Sequence, residues 1–494
     1  MVNVVLKGHD FDYEVFELLR VFFVNDEIRF IDEEALVNDQ SLLIESILYK
    51  SDNSYVVETN IKKDDKLLTS SIINEIEKIT IKDFSEKKKL KIAVKMSIYE
   101  AVTKVVEVKA PWGILTGVRP TKVVHELIDK GYNNESILEI LLNNYKMFEE
   151  KAKLILDIAR LQRKYIYPVS KKNFSLYVSI PFCPTRCVYC SFPSNPLDKT
   201  KGYVSEYVEK LVYEIDKVGE LTENMHINTV YIGGGTPTSI SISYLEKIID
   251  RIQKVFGADN IIEFTVEAGR PDTISRDVLT KLKKLGIDRI SINPQTMNEN
   301  TLKLIGRKHS SKDILKAYSL AREIGFSNIN MDLIVGLPDE DVEDIAKTME
   351  LIVKLKPDNL TVHTMAIKRA SKLNESLNDF KLSKQIEIER MIDITKKFAH
   401  EMGMYPYYLY RQKQILGNME NIGYTIPDKE CLYNILIMEE KQTILAVGAG
   451  GVSKFFFPDE NRIERVPNVK NIYEYLKRVD EMVERKKKFI KLLT

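Results

Sequence analysis

The sequence predicts an α/β fold: a partial (β/α)6 barrel between an N-terminal α+β module and a short C-terminal extension. Three observations carry that prediction. Six short apolar runs recur between about residues 175 and 410. Amphipathic stretches lie between them. The first 165 residues break this rhythm.

The apolar runs are LYVSI (176–180), TVYIG (229–233), EFTVEA (263–268), RISIN (289–293), NINMDLIVG (328–336) and NLTVHTM (359–365). They are rich in β-branched residues and lack strict alternation, which suits strands buried on both faces. Between them SYLEKIIDRIQKVF, RDVLTKLKKLGI and DVEDIAKTMELIVKLK have helical period, with Asp or Ser before several and Gly or Asn often after. Strand–helix units in series imply a parallel sheet with right-handed crossovers. Eight units would be needed for a full barrel, so six predict an open one. The expected division is a module with a helical linker at 1–165, the core at 166–410 and the extension at 411–494.

In the first segment VNVVLKG, SYVVETNIK and KKLKIAVKM read as strands, and a helical tract runs from TKVVHELIDKG to DIARLQRKYI. Between them lies APWGILTGVRP with the single tryptophan, Trp112. Trp112 is either a packing plug or, with Arg119, faces a substrate. The charged runs KKDDK and EKKKLK read as turns or solvated faces. After GAGGVSKFFF (448–457) the chain is expected to end in one helical stretch, NIYEYLKRVDEMVERKKKFIKLLT.

Composition narrows the function classes. With 73 basic and 72 acidic residues the net charge is +1, so nothing favours nucleic acid or an anionic membrane as partner. No run approaches the roughly 18 apolar residues of a membrane span. MVNVVLKGHDFDYE lacks a signal-peptide pattern, and a cytoplasmic location is expected. Four cysteines are too few for a disulfide scaffold.

Three of the four cysteines fall together in Cys183-Pro-Thr-Arg-Cys187-Val-Tyr-Cys190, directly after the first core strand. Thiolates are soft ligands that suit iron–sulfur clusters and zinc. A cubane cluster is ordinarily held by four cysteines. Three leave one iron open to a substrate or cofactor. Pro181 and Pro184 keep the segment irregular, so its thiolates can wrap one centre. The loop also follows a strand's C-terminal end, where barrel enzymes place their chemistry. A zinc site completed by Cys431 or a histidine is the alternative, but structural zinc sites usually pair two C-x₂₋₄-C knuckles. Cys431 stands far downstream without a partner cysteine and reads as an isolated buried thiol.

SLYVSIPFCPTRCVYC followed by VYIGGGTPT resembles the radical S-adenosylmethionine (SAM) superfamily. More narrowly, the chain is similar to the oxygen-independent coproporphyrinogen III oxidases, or coproporphyrinogen dehydrogenases. TVHTMAIKRAS and WGILTGVRPTK point to their HemZ-type branch. The resemblance implies a 4Fe–4S cluster on Cys183, Cys187 and Cys190, with SAM chelating the open iron. It implies oxidative decarboxylation of coproporphyrinogen III to protoporphyrinogen IX in anaerobic haem biosynthesis, fed by a donor such as a flavodoxin or ferredoxin. No catalytic side chain is implied beyond the cluster and SAM. The implied SAM contacts are Tyr177, Tyr189, Gly234, Gly235, Thr236, Glu267, Gln295, Arg307, Asp332 and Ala366, with the GAGGVSK turn as a further one. Glycines let backbone approach a ligand closely, and GGGTP lacks the lysine of a phosphate-binding loop. A substrate with four propionates needs cations, for which Arg119, Lys368 and Arg369 are the candidates.

Two departures leave the activity open. Phe192 stands where well-described members carry a further cysteine, and this aromatic pattern also occurs in related haem chaperones. The familiar C-terminal domain is shortened or replaced. The alternatives are a haem-binding chaperone on the same scaffold, with His363 or His309 as axial ligand, or another radical SAM reaction on a tetrapyrrole.

Overall fold

The computed structural model describes residues 1–32, 41–51, 54–74, 81, 84–368, 371 and 382–493. They form two compact units, Met1–Arg160 and Leu161–Thr494.

In the first unit, strands β1 (Val2–Lys7), β2 (Ile28–Phe30), β3 (Leu42–Ser51), β4 (Ser54–Lys63) and β5 (Lys66–Ile73) form a sheet of order β2-β1-β3-β4-β5. The KKDDK run is the β4–β5 turn, with Asp64 and Asp65 at positive φ, as a two-residue hairpin loop of this hand requires. KKLKIAVKM is not a strand. It lies inside the helix Glu86–Val102, whose N-terminus Ser85 caps by accepting the Lys88 N–H. A short apolar run such as IAV fits a strand or a buried helix equally, and length decides between them. Here the flanking lysines extend the helix, and Ser97 Oγ donates to Thr59 Oγ1 at 2.8 Å, seating it on β4. Helices Thr121–Asp129, Asn134–Asn143 and Glu149–Ile166 fill the expected helical tract. Trp112 is fully buried, with the Lys151 ammonium 5.9 Å from its ring centroid, which favours the packing role.

The second unit contains strands β6 (Asn173–Ile180), β7 (Phe182–Cys183), β8 (Asn195–Pro196), β9 (His226–Gly234), β10 (Glu263–Glu267), β11 (Arg289–Ser291), β12 (Ile329–Val335), β13 (Asn359–Thr364), β14 (Tyr405–Tyr410), β15 (Asn421–Thr425), β16 (Thr443–Val447), β17 (Val452–Phe457) and β18 (Arg462–Pro467). Each of the six apolar runs is a strand, and they lie side by side as β6-β9-β10-β11-β12-β13, all parallel. Ser275, Ser310 and Asp341 cap the helices that follow β10, β11 and β12, the last two as capping boxes. The partial barrel is therefore as expected. Strands β14 and β15 extend the sheet past β13, while β16 joins β6 in parallel and carries the hairpin β17–β18. The hairpin corrects the reading of the chain's end: β18 lies between GAGGVSKFFF and the last helix, Ile472–Ile490. Its turn residue Asn461 takes the left-handed conformation, a turn signal hidden in the charged run PDENR. Among the described residues no helix is long and apolar enough to cross a membrane.

One buried ion pair ties the strand starts to the extension. Arg289, 2% exposed, donates to Glu263 at 3.3 Å and to the carbonyls of Lys429 and Glu430 at 3.0 and 2.9 Å. Glu263 also accepts the N–H groups of Leu432 and Tyr433 at 3.0 and 3.1 Å, capping the helix Leu432–Glu439. Cys431 Sγ donates to the same carboxylate at 3.4 Å, so the lone cysteine is the buried thiol expected. Arg289→Met leaves that carboxylate without its cation and should cost about 3–5 kcal/mol. The measurement is the urea midpoint; an unchanged midpoint would contradict the assignment.

Candidate functional site

A cavity of about 550 Å³ opens at the C-terminal ends of the parallel strands, and every residue that lines it belongs to the second unit. Its floor begins with the GGGTP turn. Gly234 has φ +106°, and a Cβ on Gly235 would fall 2.4 Å from the Phe182 carbonyl oxygen. No side chain fits there. The close approach lets Gly235 N–H donate to Ile180 O at 2.8 Å and Thr236 N–H to Phe182 O at 2.7 Å. Thr236 Oγ1 then donates to Cys183 Sγ at 3.6 Å.

The short β7–β8 ladder brackets the cysteine loop, and Asn195 N–H closes it on Pro181 O at 2.8 Å. Cys183, Cys187 and Cys190 all line the cavity as free thiols, the first two buried and the third half-buried. Burial pushes Cys183 up to about 11 and Cys190 above its ordinary value, and the neighbouring thiols add to both shifts. Cys431 is not on the cavity, and among the described residues no group of three or more His, Cys, Asp or Glu is arranged to hold a metal ion. The donor set fits a cluster with one iron left for an outside ligand. It does not fit zinc completed by Cys431.

The expected cofactor contacts converge on the same space: Tyr177, Tyr189, Gly234, Gly235, Thr236, Glu267, Gln295, Arg307, Asp332 and Ala366 all line it. Gln295 has φ +68°, a strained backbone for a residue with a side chain, of the kind found at ligand sites. Its N–H and carbonyl bridge to β12 at 2.9 Å each, while its Oε1 is a buried acceptor that meets no donor among the described residues. Asn293 Oδ1, absent from the sequence reading, is a second such acceptor on the cavity. Buried Arg307 donates to Asn293 O at 2.6 Å and to the Tyr189 hydroxyl at 3.1 Å, tying its loop to the cysteine loop.

Two carboxyl groups on the cavity are shifted in opposite directions. Burial pushes Glu267 up to about 7, partly opposed by the Tyr231 hydroxyl donating to it at 2.7 Å. Burial also acts on Asp332, but His363 and Asn330 outweigh it and hold that carboxyl below its ordinary value. Tyr231 and Tyr433, which sequence reasoning missed, each stack with Tyr177 at a centroid distance of 6.2 Å and with one another at 4.5 Å. Tyr231 was legible in principle, since it is the cross-strand partner of Tyr177.

Lys368 lines the cavity, and burial lowers its ammonium's pKa. Arg369 lies outside the described residues. Arg119 is in the first unit, just before the helix Thr121–Asp129. Gly450, Val452 and Lys454 of the GAGGVSK turn line the cavity, as does Phe192, 62% exposed. Of the two histidines, His363 lines it, with Nδ1 at 3.1 Å from the Tyr410 hydroxyl. His309 does not; its buried ring sits 3.6 Å from Asp272.

The Glu267 environment makes a signed prediction. A carboxyl raised in the folded state favours the proton-bound fold, so its contribution to stability is complete below pH 4.5 and is lost as pH rises through about 7. The stability difference between wild type and Glu267→Gln, from urea titrations, should fall across that window and level off above it. A difference independent of pH would contradict this environment.

Residues 177–352 match the family model of the radical SAM superfamily. The chain is 42% identical over 385 residues to the oxygen-independent coproporphyrinogen-III oxidase-like protein HemZ of Bacillus subtilis, which covers 77% of each chain. It is 35% identical over 199 residues to the heme chaperone HemW of the same species, covering 39% of this chain and 50% of that one. Among solved structures, coproporphyrinogen III oxidase (HemN) from Escherichia coli aligns with a TM-score of 0.52 at 24% identity, over 66% of this chain and 73% of that one. That last likeness is one of fold.

Proposed function

Because the chain belongs to the radical SAM superfamily, among its coproporphyrinogen-III oxidase-like proteins, we propose that it decarboxylates the propionates of a reduced tetrapyrrole, converting coproporphyrinogen III to protoporphyrinogen IX. The family's cofactors are a 4Fe–4S cluster and SAM. Bound together they supply a low-potential electron and a carbon radical able to take hydrogen from an unactivated C–H bond. The observation that carries the reading is one cavity lined by three thiols without a fourth, two carboxylates and the strained Gln295.

In this reading Cys183, Cys187 and Cys190 hold the cluster. Glu267 and the GGGTP turn meet the amino-acid end of SAM, and Asp332 suits ribose hydroxyls. Gln295 and Asn293 offer their unmet acceptors to ligand donors, while Arg307 holds Tyr189 in place. The tyrosine stack of Tyr177, Tyr231 and Tyr433 forms a wall that limits water. Lys368 receives a propionate carboxylate, with Arg369 as a further cationic candidate. Loss of a hydrogen atom from the propionate β-carbon, then of CO₂ and one electron to an outside acceptor, leaves the vinyl group. A flavodoxin- or ferredoxin-class donor reduces the site.

His363 on the cavity favours one second reading, a haem-binding protein on this scaffold, consistent with the HemW relative. Anaerobically reconstituted protein with SAM, dithionite and coproporphyrinogen III separates the two. The proposal expects 5′-deoxyadenosine and protoporphyrinogen by mass spectrometry, both abolished in Cys187→Ala. Lys368→Ala should raise the KM for the porphyrinogen about tenfold with SAM cleavage retained. Deoxyadenosine without a porphyrin product would overturn the substrate. A Soret band lost in His363→Ala, with no turnover, would establish the haem-binding reading instead.

A further inference from the structure

The charged groups buried deepest in the second unit lie away from the cysteines. Glu214, on the helix Val204–Leu221, and Lys486, on the helix Ile472–Ile490, are both 0% exposed, and Lys486 Nζ is 2.7 Å from Glu214 Oε1. Lys486 also donates to Asn468 Oδ1 at 2.7 Å and to Met482 O at 3.3 Å. The Glu214 carboxylate collects three more donors: Asn468 Nδ2 at 2.9 Å, the Tyr475 hydroxyl at 2.6 Å and the backbone N–H of Gly448 at 2.7 Å. A buried ion pair is often no more stabilising than an apolar pair of the same volume. What an apolar pair could not do is hold the N–H of Gly448.

Gly448 opens the turn whose next residues reach the cavity. Ala449 N–H donates to the Tyr207 hydroxyl at 2.9 Å, Tyr207 donates to Ser179 O at 2.8 Å, and Ser179 Oγ returns to Ala449 O at 2.8 Å. The turn is seated without slack. A Cβ on Gly448 would lie 2.5 Å from Ser179 O, and one on Gly450 would lie 3.0 Å from Pro193 Cγ. Ser179, Pro193 and Gly450 all line the cavity, and Pro193 is in the loop that carries Cys190.

We propose that Glu214 and Lys486 are positioning residues through which the C-terminal helix sets the cavity's affinity for SAM. Glu214 fixes the Gly448–Gly451 turn against the β6 end and the cysteine loop; Lys486 and Tyr475 fix Glu214. The inference rests on the cofactor reading given above. Lys486→Met alone strands a buried carboxylate and is a poor test, since it can fail to fold. Two neutral double variants separate anchoring from packing. E214Q/K486M retains an acceptor for the Gly448 N–H, whereas E214L/K486M keeps the volume and removes it.

Each protein is reconstituted with iron and sulfide, its iron content and urea midpoint are matched to one another, and SAM binding is measured by equilibrium dialysis. Hydrogen exchange of residues 448–454 is followed without SAM. The proposal expects E214Q/K486M to bind within about threefold of wild type. E214L/K486M should bind about tenfold more weakly and exchange faster across the turn. Equal SAM affinity in all three proteins would overturn the positioning role and leave the cofactor reading standing. A wild type that binds iron but no SAM would overturn both.

Discussion

Two backbone hydrogen bonds, from Gly235 to Ile180 and from Thr236 to Phe182, carry the geometry of the site. They require a turn in which no Cβ intrudes, which is why glycines stand at the end of β9 and just after it. Through them the segment leaving β6 is pinned to the next strand, and Cys183 is delivered beside Thr236. The other side of the cysteine loop is held independently. Val188 N–H donates to Ile305 O at 3.2 Å, and Thr185 Oγ1 donates to Gly306 O at 3.2 Å. Arg270 completes the frame by donating to Thr185 Oγ1 at 2.7 Å while paired with Asp272. An irregular loop thus gains the rigidity of the strands around it.

The charge layout follows from the same arrangement. Parallel strands place backbone polar groups at their ends, and polar side chains collect where the apolar core stops. Asp332 is stabilised there by His363 and Asn330, whereas the Tyr231 hydroxyl and the Gly234 backbone offset the burial of Glu267 only in part. At the opposite strand ends Arg289 and Glu263 satisfy one another and cap a helix. That pair serves the fold at the end of the strands away from the cavity.

The core was legible because strands buried on both faces leave continuous apolar runs, and the cysteines because their spacing is local. KKLKIAVKM was misread since nine residues of mixed apolar and basic character do not separate a strand from a helix. Strand β18 was missed because RIERVP is charged and lies at the sheet's edge. Asn293, Tyr433 and the Glu214–Lys486 pair carry no sequence signal. Their roles arise from contacts across tens or hundreds of residues, which a motif cannot express. His309 shows the converse: a suggestive histidine that the fold buries off the cavity, 3.6 Å from Asp272.

The central claim is that three thiols hold a cluster whose remaining iron takes SAM. Electron paramagnetic resonance of the anaerobically reconstituted, dithionite-reduced protein tests it most directly, recorded with and without SAM. The account predicts a 4Fe–4S signal whose g values shift on adding SAM, and which is lost in Cys187→Ala. A signal indifferent to SAM, or iron retained at wild-type content in Cys187→Ala, would contradict it.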